Sequence, residues 1–98
     1  MARLHNPHPG ETIREEIEEL GISAYKLAQE LRMQETAVSQ ILRGKRRITP
    51  RTALRLGEFF GTNPQFWLNL QAAYDLEEER RRGDALSEER ETDELTRI

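Results

Sequence analysis

The chain has 98 residues, of which 34% are charged and 36% apolar, a composition that suits one small domain with a modest core. It contains no cysteine, which excludes disulfides, thiolate metal sites and a cysteine nucleophile. No apolar run approaches the ~18 residues that cross a bilayer. The first twenty residues carry five glutamates and no apolar stretch, unlike a signal peptide. We therefore expect a cytoplasmic protein.

Charge is distributed unevenly along the chain, although the net charge is only −3. Residues 32–55 contain seven Lys or Arg against a single Glu and carry +6, whereas residues 1–31, 56–76 and 77–98 carry −3, −2 and −4. A local basic patch matters more for phosphate binding than the charge of the whole chain. The central segment is therefore the candidate region for contact with nucleic acid.

The first two helices are indicated by their caps and by their apolar stripes. Pro9 in the first turn and Glu11 near the positive end of the helix dipole favour a helix start at His8-Pro9. Gly21 ends this helix, and Ser23 caps the next one. In the first helix Ile13, Ile17 and Leu20 repeat at helical spacing and form one stripe. The buried stripe predicted for the second helix consists of Ala24, Leu27, Ala28 and Leu31.

The third helix begins at Gln34 or Glu35 and has two chemically different sides. Its apolar residues Val38, Ile41 and Leu42 cluster on one side at about 100° per residue. The polar residues on the opposite side are Thr36, Ser39, Gln40 and Arg43. Gly44 ends the helix, and the basic loop Lys45-Arg46-Arg47 follows it.

Two further helices are marked by strong start signals. Thr49 followed by Pro50 predicts the fourth helix, which Gly61 ends. Thr62 or Asn63 caps the fifth helix. The apolar residues of the fifth helix, which form an unusually broad arc, are Phe66, Trp67, Leu70, Ala73, Tyr74 and Leu76.

The composition changes towards the end of the chain. We expect Gly83-Asp84 to break the fifth helix, and we expect the polar residues after it to be mostly flexible or to fold on binding a partner. No strand alternation occurs anywhere in the sequence. The prediction is an all-α, five-helix domain over residues 9–82, preceded by an arm of residues 1–8 and followed by a polar tail of residues 83–98.

The second and third helices have the spacing of a helix-turn-helix motif, because both are short and about three residues separate them. In this motif the second helix enters the major groove of DNA, its early side chains reach base edges, and flanking groups hold phosphate. The residues that we predict to read bases are Gln34, Glu35, Thr36, Ser39 and Gln40. The residues that we predict to hold phosphate are Ser23, Tyr25, Arg43, Lys45, Arg46 and Arg47.

Neither a basic cluster nor a polar helix side indicates DNA binding by itself, because both are common on solvated protein surfaces. Here the spacing, the segregation of the two sides and the position of the cations occur together. The polar side also has suitable chemistry, since glutamine can donate and accept at a purine edge and a threonine methyl can contact thymine. This conjunction favours DNA binding over a plain helical bundle.

The segment of residues 32–45 resembles the recognition-helix region of the lambda-repressor-like (XRE) family, most specifically in the pattern Val38-Ser39…Ile41…Gly44-Lys45. Neighbouring segments resemble one branch of that family, the HigA-type antitoxins, also known as virulence-associated protein I. These segments are His8-Pro9-Gly10-Glu11, Gly44-Lys45-Arg46, Ile48-Thr49-Pro50, Thr52-Ala53-Leu54-Arg55-Leu56, Phe60-Gly61-Thr62 and Phe66-Trp67-Leu68-Asn69-Leu70-Gln71. The resemblance covers residues 7–76 and stops before the tail.

The resemblance implies a non-enzymatic, DNA-binding antitoxin that represses its own toxin–antitoxin operon and neutralises a HigB-type toxin that cleaves mRNA. A solitary repressor of the phage type shares the DNA chemistry without a toxin, and it stays open. A protein-interaction module without DNA binding is a second alternative, which the basic loop disfavours. The sequence departs from the family at Arg32, which stands where relatives carry a glycine with positive φ at the turn.

A homodimer suits palindromic DNA, and the fifth helix is its candidate interface because so small a domain cannot bury so broad an apolar arc. The residues that we predict in this interface are Phe66, Trp67, Leu70, Ala73 and Tyr74. His5 and His8 have no third ligand with which to hold a metal. The glutamates of the first helix have no nucleophile nearby. We therefore predict no metal, no cofactor and no catalytic residue.

Overall fold

Five helices follow one another along the chain and confirm the all-α prediction. The computed structural model describes residues 4–97, with side chains described for residues 4–84. Within residues 4–97 every regular element is a helix. The helices are α1 (Pro9–Leu20), α2 (Ala24–Leu31), α3 (Glu35–Leu42), α4 (Pro50–Phe60) and α5 (Pro64–Arg97).

Side-chain caps begin four of these helices. In each case a side-chain acceptor receives a hydrogen bond from a backbone N–H two or three residues later, at 2.9–3.3 Å. The capping residues are His8 of α1, Ser23 of α2, Thr49 of α4 and Asn63 of α5. Gln34 precedes α3 without such a bond. The predicted starts at Ser23, at Thr49 and at residue 62 or 63 are thus confirmed.

The cap of α1 is the buried imidazole ring of His8. Its Nδ1 accepts the backbone N–H of Gly10 at 2.9 Å, and the ring meets Tyr74 of α5 edge-on, with centroids 4.9 Å apart. Burial lowers the pKa of His8 below its ordinary value, while the carboxylates of Glu11 and Asp75 oppose this shift. The ring therefore remains neutral near pH 7 and keeps the lone pair that caps the helix.

The core lies where the five helices meet, and each of them contributes buried apolar residues to it. Helix α1 crosses α3 so closely at Gly10 that a Cβ there would lie 1.9 Å from the carbonyl oxygen of Ile41. No other residue fits this crossing without moving one of the two helices. Helix α4 packs against α5, and α2 packs against α3.

Trp67 is the large residue by which α5 enters the core, where it is 1% exposed. Its indole N–H donates to Thr62 Oγ1 at 2.8 Å, and its ring contacts those of Phe60 and Phe66. The prediction that Trp67 lies in a dimer interface is therefore wrong, because the monomer already buries this side chain completely. Part of the broad apolar arc of α5 therefore lies in the core of the monomer.

Helix α5 continues through Gly83 and Asp84 to Arg97, so the predicted break at this dipeptide is wrong. A glycine in a helix costs about 0.5–1 kcal/mol relative to alanine, which weakens a helix without ending it. The turns before it are good helix formers joined by ion pairs, including Arg81 Nε to Glu77 Oε1 at 3.1 Å. The division of the chain at residue 83 into a domain and a tail stays a prediction.

The turn between α2 and α3 places Arg32 in the left-handed region, with φ of 56° and ψ of 45°. Among the described residues Arg32 is the one non-glycine residue with positive φ. The N–H of Met33 bonds back to the carbonyl of Ala28 at 2.9 Å, which is the closing bond of a Schellman motif. The turn therefore keeps the shape that a glycine would give it, and Arg32 bears the strain.

Replacement of Arg32 by glycine is expected to stabilise the fold by up to about 1 kcal/mol, because a left-handed conformation strains any residue that has a Cβ. The measurement is the free energy of unfolding in urea. Arg32→Ala is the matched control, since it removes the exposed side chain, whose contact with Glu58 spans 3.8 Å, and keeps the strain. A glycine variant no more stable than the alanine variant would refute this explanation.

Candidate nucleic-acid interface

Helix α3 has one side in the core and the other in solvent. Val38, Ile41 and Leu42 are buried on its inner side, as predicted. The outer side forms a shallow depression of about 260 Å³. The residues that line this depression are Glu35, Thr36, Ser39, Gln40 and Arg43. The buried stripe therefore orients the polar side chains outwards along one surface.

The five predicted base-reading residues lie along this outer side of α3 or at its start. Glu35 and Thr36 are exposed in the first turn, and Ser39 and Gln40 are half-buried one turn later. These four line the depression together. Gln34 is exposed at the residue before α3 and does not line it. The structure thus brings four of the five side chains to one concave surface.

The four cations that follow the outer side of α3 are exposed but not equivalent. Arg43 Nε donates to the backbone carbonyl of Ser39 at 3.4 Å, within its own helix. Arg46 Nε donates to Gln40 Oε1 at 3.0 Å. Lys45 makes no side-chain hydrogen bond or ion pair within the described part of the chain. The cations thus differ in how firmly each is held.

Arg47 and the backbone beside it are held by α5. Arg47 Nη2 pairs with Asp75 Oδ2 at 2.7 Å. Gln71 is 3% exposed, and its Oε1 accepts the backbone N–H of Ile48 at 2.7 Å, while its Nε2 donates to Asp75 Oδ1 at 2.9 Å. Gln71 and Asp75, one turn apart on α5, therefore hold Ile48 and Arg47, two successive residues of the loop that carries the cations.

The start of α2 carries the remaining predicted phosphate contacts. The hydroxyl of Ser23 accepts the N–H of Lys26, so its side chain serves as the helix cap. Tyr25 is 56% exposed, and its hydroxyl accepts from Gln29 Nε2 at 3.0 Å. Both residues lie at the positive end of the α2 dipole.

Sequence reasoning missed Gln71 and Asp75. Gln71 lies one turn after Trp67 and shares the side of α5 that faces the core. A lone amide on an otherwise apolar helix side must find hydrogen-bond partners when it is buried. That pattern was visible in the sequence, but the partner, a backbone N–H more than twenty residues away, was not.

The histidines considered as metal ligands and the glutamates considered as catalytic groups have structural roles or lie in solvent. His5 Nε2 is 2.7 Å from a carboxylate oxygen of Glu11, and His8 caps α1. Within the described residues, no group of three or more His, Asp or Glu side chains is arranged to hold a metal ion. Glu15 and Glu19 are exposed on α1.

No helix among the described residues is long and apolar enough to cross a membrane.

A short helix, a tight turn and a second helix with a buried inner and a polar outer side define a helix-turn-helix domain. The chain belongs to the helix-turn-helix family HTH_3, whose model matches residues 13–67. A curated relative, the virulence-associated protein I of Dichelobacter nodosus, is 49% identical over 70 residues, 70% of this chain. The chain spans 65% of the length of that relative.

Solved structures of HigA-family antitoxins share the fold. An addiction module antidote protein of the HigA family from Coxiella burnetii is 45% identical, with a TM-score of 0.82 over 88% of this chain and 95% of that one. The Pseudomonas aeruginosa antitoxin HigA, solved with the higBA promoter, is 37% identical, with a TM-score of 0.81 over 87% of this chain and 94% of that one. These relationships confirm the predicted family and agree with a regulator rather than an enzyme.

Replacement of Gln71 by methionine is expected to lower the free energy of unfolding by about 1–3 kcal/mol, because it leaves the buried N–H of Ile48 without a partner. The volume of the side chain is nearly kept, so a cavity does not explain the loss. The sharper measurement is hydrogen exchange at the Ile48 amide, which should accelerate more than exchange at the core amides of α4. Unchanged protection of Ile48 would show that Gln71 does not hold the loop.

Proposed function

We propose that this chain is a HigA-type antitoxin that binds the operator of its own toxin–antitoxin operon as a homodimer and neutralises a HigB-type toxin that cleaves mRNA. The observation that carries the proposal is the outer side of α3, where five polar side chains line one depression beside a basic loop that α5 holds in place. The relationship to an antitoxin solved with its promoter supports the same function.

In this proposal α3 lies in the major groove of operator DNA. Thr36 and Gln40 lie one turn apart on the outer side of the helix, so their side chains can meet neighbouring base pairs. Glu35 can accept from a cytosine amino group, and Ser39 is short enough to allow close approach of the backbone. These contacts supply sequence discrimination.

The cations supply affinity that does not depend on sequence. Arg43, Lys45 and Arg46 follow the reading surface directly and can each neutralise a phosphate. Arg47 is paired with Asp75, so a phosphate contact would use the N–H donors of its guanidinium that Asp75 leaves free. The N-terminus of α2 offers backbone N–H groups to a further phosphate. The interface thus separates positioning contacts from reading contacts.

Alanine substitution is expected to separate these two kinds of contact. Thr36→Ala or Gln40→Ala should cost about 1–3 kcal/mol on the operator and little on random duplex. Lys45→Ala should weaken binding to both duplexes, and it should lower the slope of log affinity against log salt by about one, because it removes one phosphate neutralisation. The measurement is titration of both duplexes at several salt concentrations, using DNA upstream of the gene as the operator source.

Equal losses on both duplexes for Thr36→Ala and Gln40→Ala would contradict base reading by α3. Wild-type protein that binds neither duplex would favour the protein-interaction module. The antitoxin and the solitary repressor differ in whether a toxin exists, so a small basic protein encoded beside this chain would favour the antitoxin.

The homodimer is proposed to form along the solvent side of α5. Phe66 is 44% exposed and Ala73 is exposed, while Leu70 and Tyr74 are half-buried and present only part of their surface. An exposed apolar strip of this kind usually meets a partner. A homodimer that binds a palindromic operator must present its two α3 helices to successive turns of DNA, ~34 Å apart.

Ala73→Glu is expected to produce a monomer, because it inserts a charge into the proposed strip without disturbing the core. Ala72→Glu is the matched control, since it makes the same change one residue earlier, about 100° around the helix. Sedimentation at several concentrations distinguishes the two. If the Ala73 variant remains dimeric, or if the control alone becomes monomeric, the interface lies elsewhere.

The toxin is proposed to bind the acidic end of the chain. A ribonuclease must present cationic surface to RNA phosphates, so an inhibitor of it should offer carboxylates. Residues 77–98 carry −4, and the described part of them continues α5. The exposed glutamates of α1 are the second acidic surface of the chain.

Deletion of residues 83–98 is expected to reduce toxin neutralisation in cells and to preserve operator binding, because it leaves α2 and α3 intact. Glu15→Lys combined with Glu19→Lys is the comparison variant, and it should neutralise the toxin normally. The opposite result, full neutralisation by the truncated protein and failure of the charge-reversed one, would move the toxin site to α1.

A further inference from the structure

Gln40 and Arg46 form a contact whose polarity is fixed by chemistry. Arg46 Nε donates to Gln40 Oε1 at 3.0 Å. A guanidinium has donors only, so the amide must turn its oxygen to Arg46. The amide nitrogen, with its two N–H donors, then has no side-chain partner within the described part of the chain. The contact with Arg46 therefore leaves the nitrogen end of the Gln40 amide available to a further partner.

We propose that Arg46 makes Gln40 a hydrogen-bond donor in the major groove and thereby selects guanine against adenine at the base that Gln40 meets. This inference rests on the proposed binding of operator DNA and names the base that one residue of that interface reads. Both side chains lie on the proposed DNA-facing surface, Gln40 in the depression and Arg46 in the basic loop.

The two purines present different groups to an amide in the major groove. Glutamine reads adenine with both ends of its amide, since the oxygen accepts from the N6 amino group and the nitrogen donates to N7. Guanine presents two acceptors, N7 and O6, and needs donors only. The Gln40 oxygen has a second lone pair, but its bond from Arg46 directs it towards the basic loop. The amide therefore presents its nitrogen end to a base, with the donors that guanine accepts, more readily than the acceptor that adenine requires.

The charge of Arg46 acts in the same direction. The guanidinium beside the Gln40 amide repels the positive edge of an adenine amino group and attracts the carbonyl O6 of guanine. The contact uses Nε alone, so four N–H donors of Arg46 remain for a phosphate. Arg46 thus links a base-reading side chain to the DNA backbone, whereas Lys45 can serve only the backbone.

The test compares base preference among four proteins. Wild type, Gln40→Ala, Arg46→Met and Arg47→Met each select duplexes from a randomised pool at low salt, where phosphate contacts are strong enough for every variant to bind. Gln40→Ala identifies the position read by Gln40 as the one whose preference it flattens. Arg46→Met removes both the N–H donors and the charge while keeping a long side chain. Arg47→Met is the matched control, because it makes the same exchange in the same loop at a residue that contacts Asp75 instead.

Wild type is expected to select guanine at the position that Gln40→Ala flattens. Arg46→Met should raise adenine relative to guanine there by about tenfold, the discrimination that one base contact supplies. Arg47→Met should leave the profile at that position unchanged. If Arg46 acted only in folding or in phosphate binding, its replacement would weaken binding to all sequences together. It would not change the base preferred at one position.

Gln40→Glu supplies an independent check, since both of its carboxylate oxygens accept and one can still meet Arg46. This variant should move the preferred base from guanine to cytosine, whose N4 amino group donates. The inference is overturned if wild type selects adenine at the Gln40 position, if Gln40→Ala flattens no position, or if Arg46→Met keeps the guanine preference. Wild-type protein that enriches no sequence from the pool would instead refute the proposed function.

Discussion

Burial of Val38, Ile41 and Leu42 on one side of α3 is the constraint on which the candidate interface depends. Each such side chain contributes about 1.5–3 kcal/mol when it leaves water, so rotation of α3 about its axis would be costly. The crossing of α1 at Gly10, where there is no room for a Cβ against the carbonyl of Ile41, holds the same helix from a second direction. The polar side of α3 faces solvent because burial of the apolar side holds the helix in this orientation.

The basic loop depends on a different element, α5, through a buried polar contact. Gln71 satisfies the N–H of Ile48 and, through Asp75, fixes the guanidinium of Arg47. A buried amide of this kind is held in place because breaking any of its bonds would leave another polar group unpaired. Helix α5 also carries the proposed dimer strip, so assembly of two chains and presentation of the loop would involve one rigid helix.

Local features of this fold could be predicted because their physics is local. Ser23 and Thr49 cap the starts of α2 and α4 through bonds that span three residues, and Gly21 and Gly61 adopt the left-handed conformation at the ends of α1 and α4. The apolar stripe of α3 predicted its inner side, and with it the outer residues that line the depression. The break expected at Gly83 was wrong because a helix tolerates a single glycine when its neighbours favour helix.

The sequence by itself determined the helices, the buried side of α3 and the position of the cations, since periodicity, caps and charge require no distant contact. It also located the strained residue of the turn, Arg32, through its departure from the family pattern. The tertiary structure alone decided that Trp67 belongs to the monomer core, that Gln71 holds Ile48, and that Arg46 meets Gln40. A helical pattern shows which residues share a side, whereas the partner of a buried aromatic ring or amide depends on how the helices pack against one another.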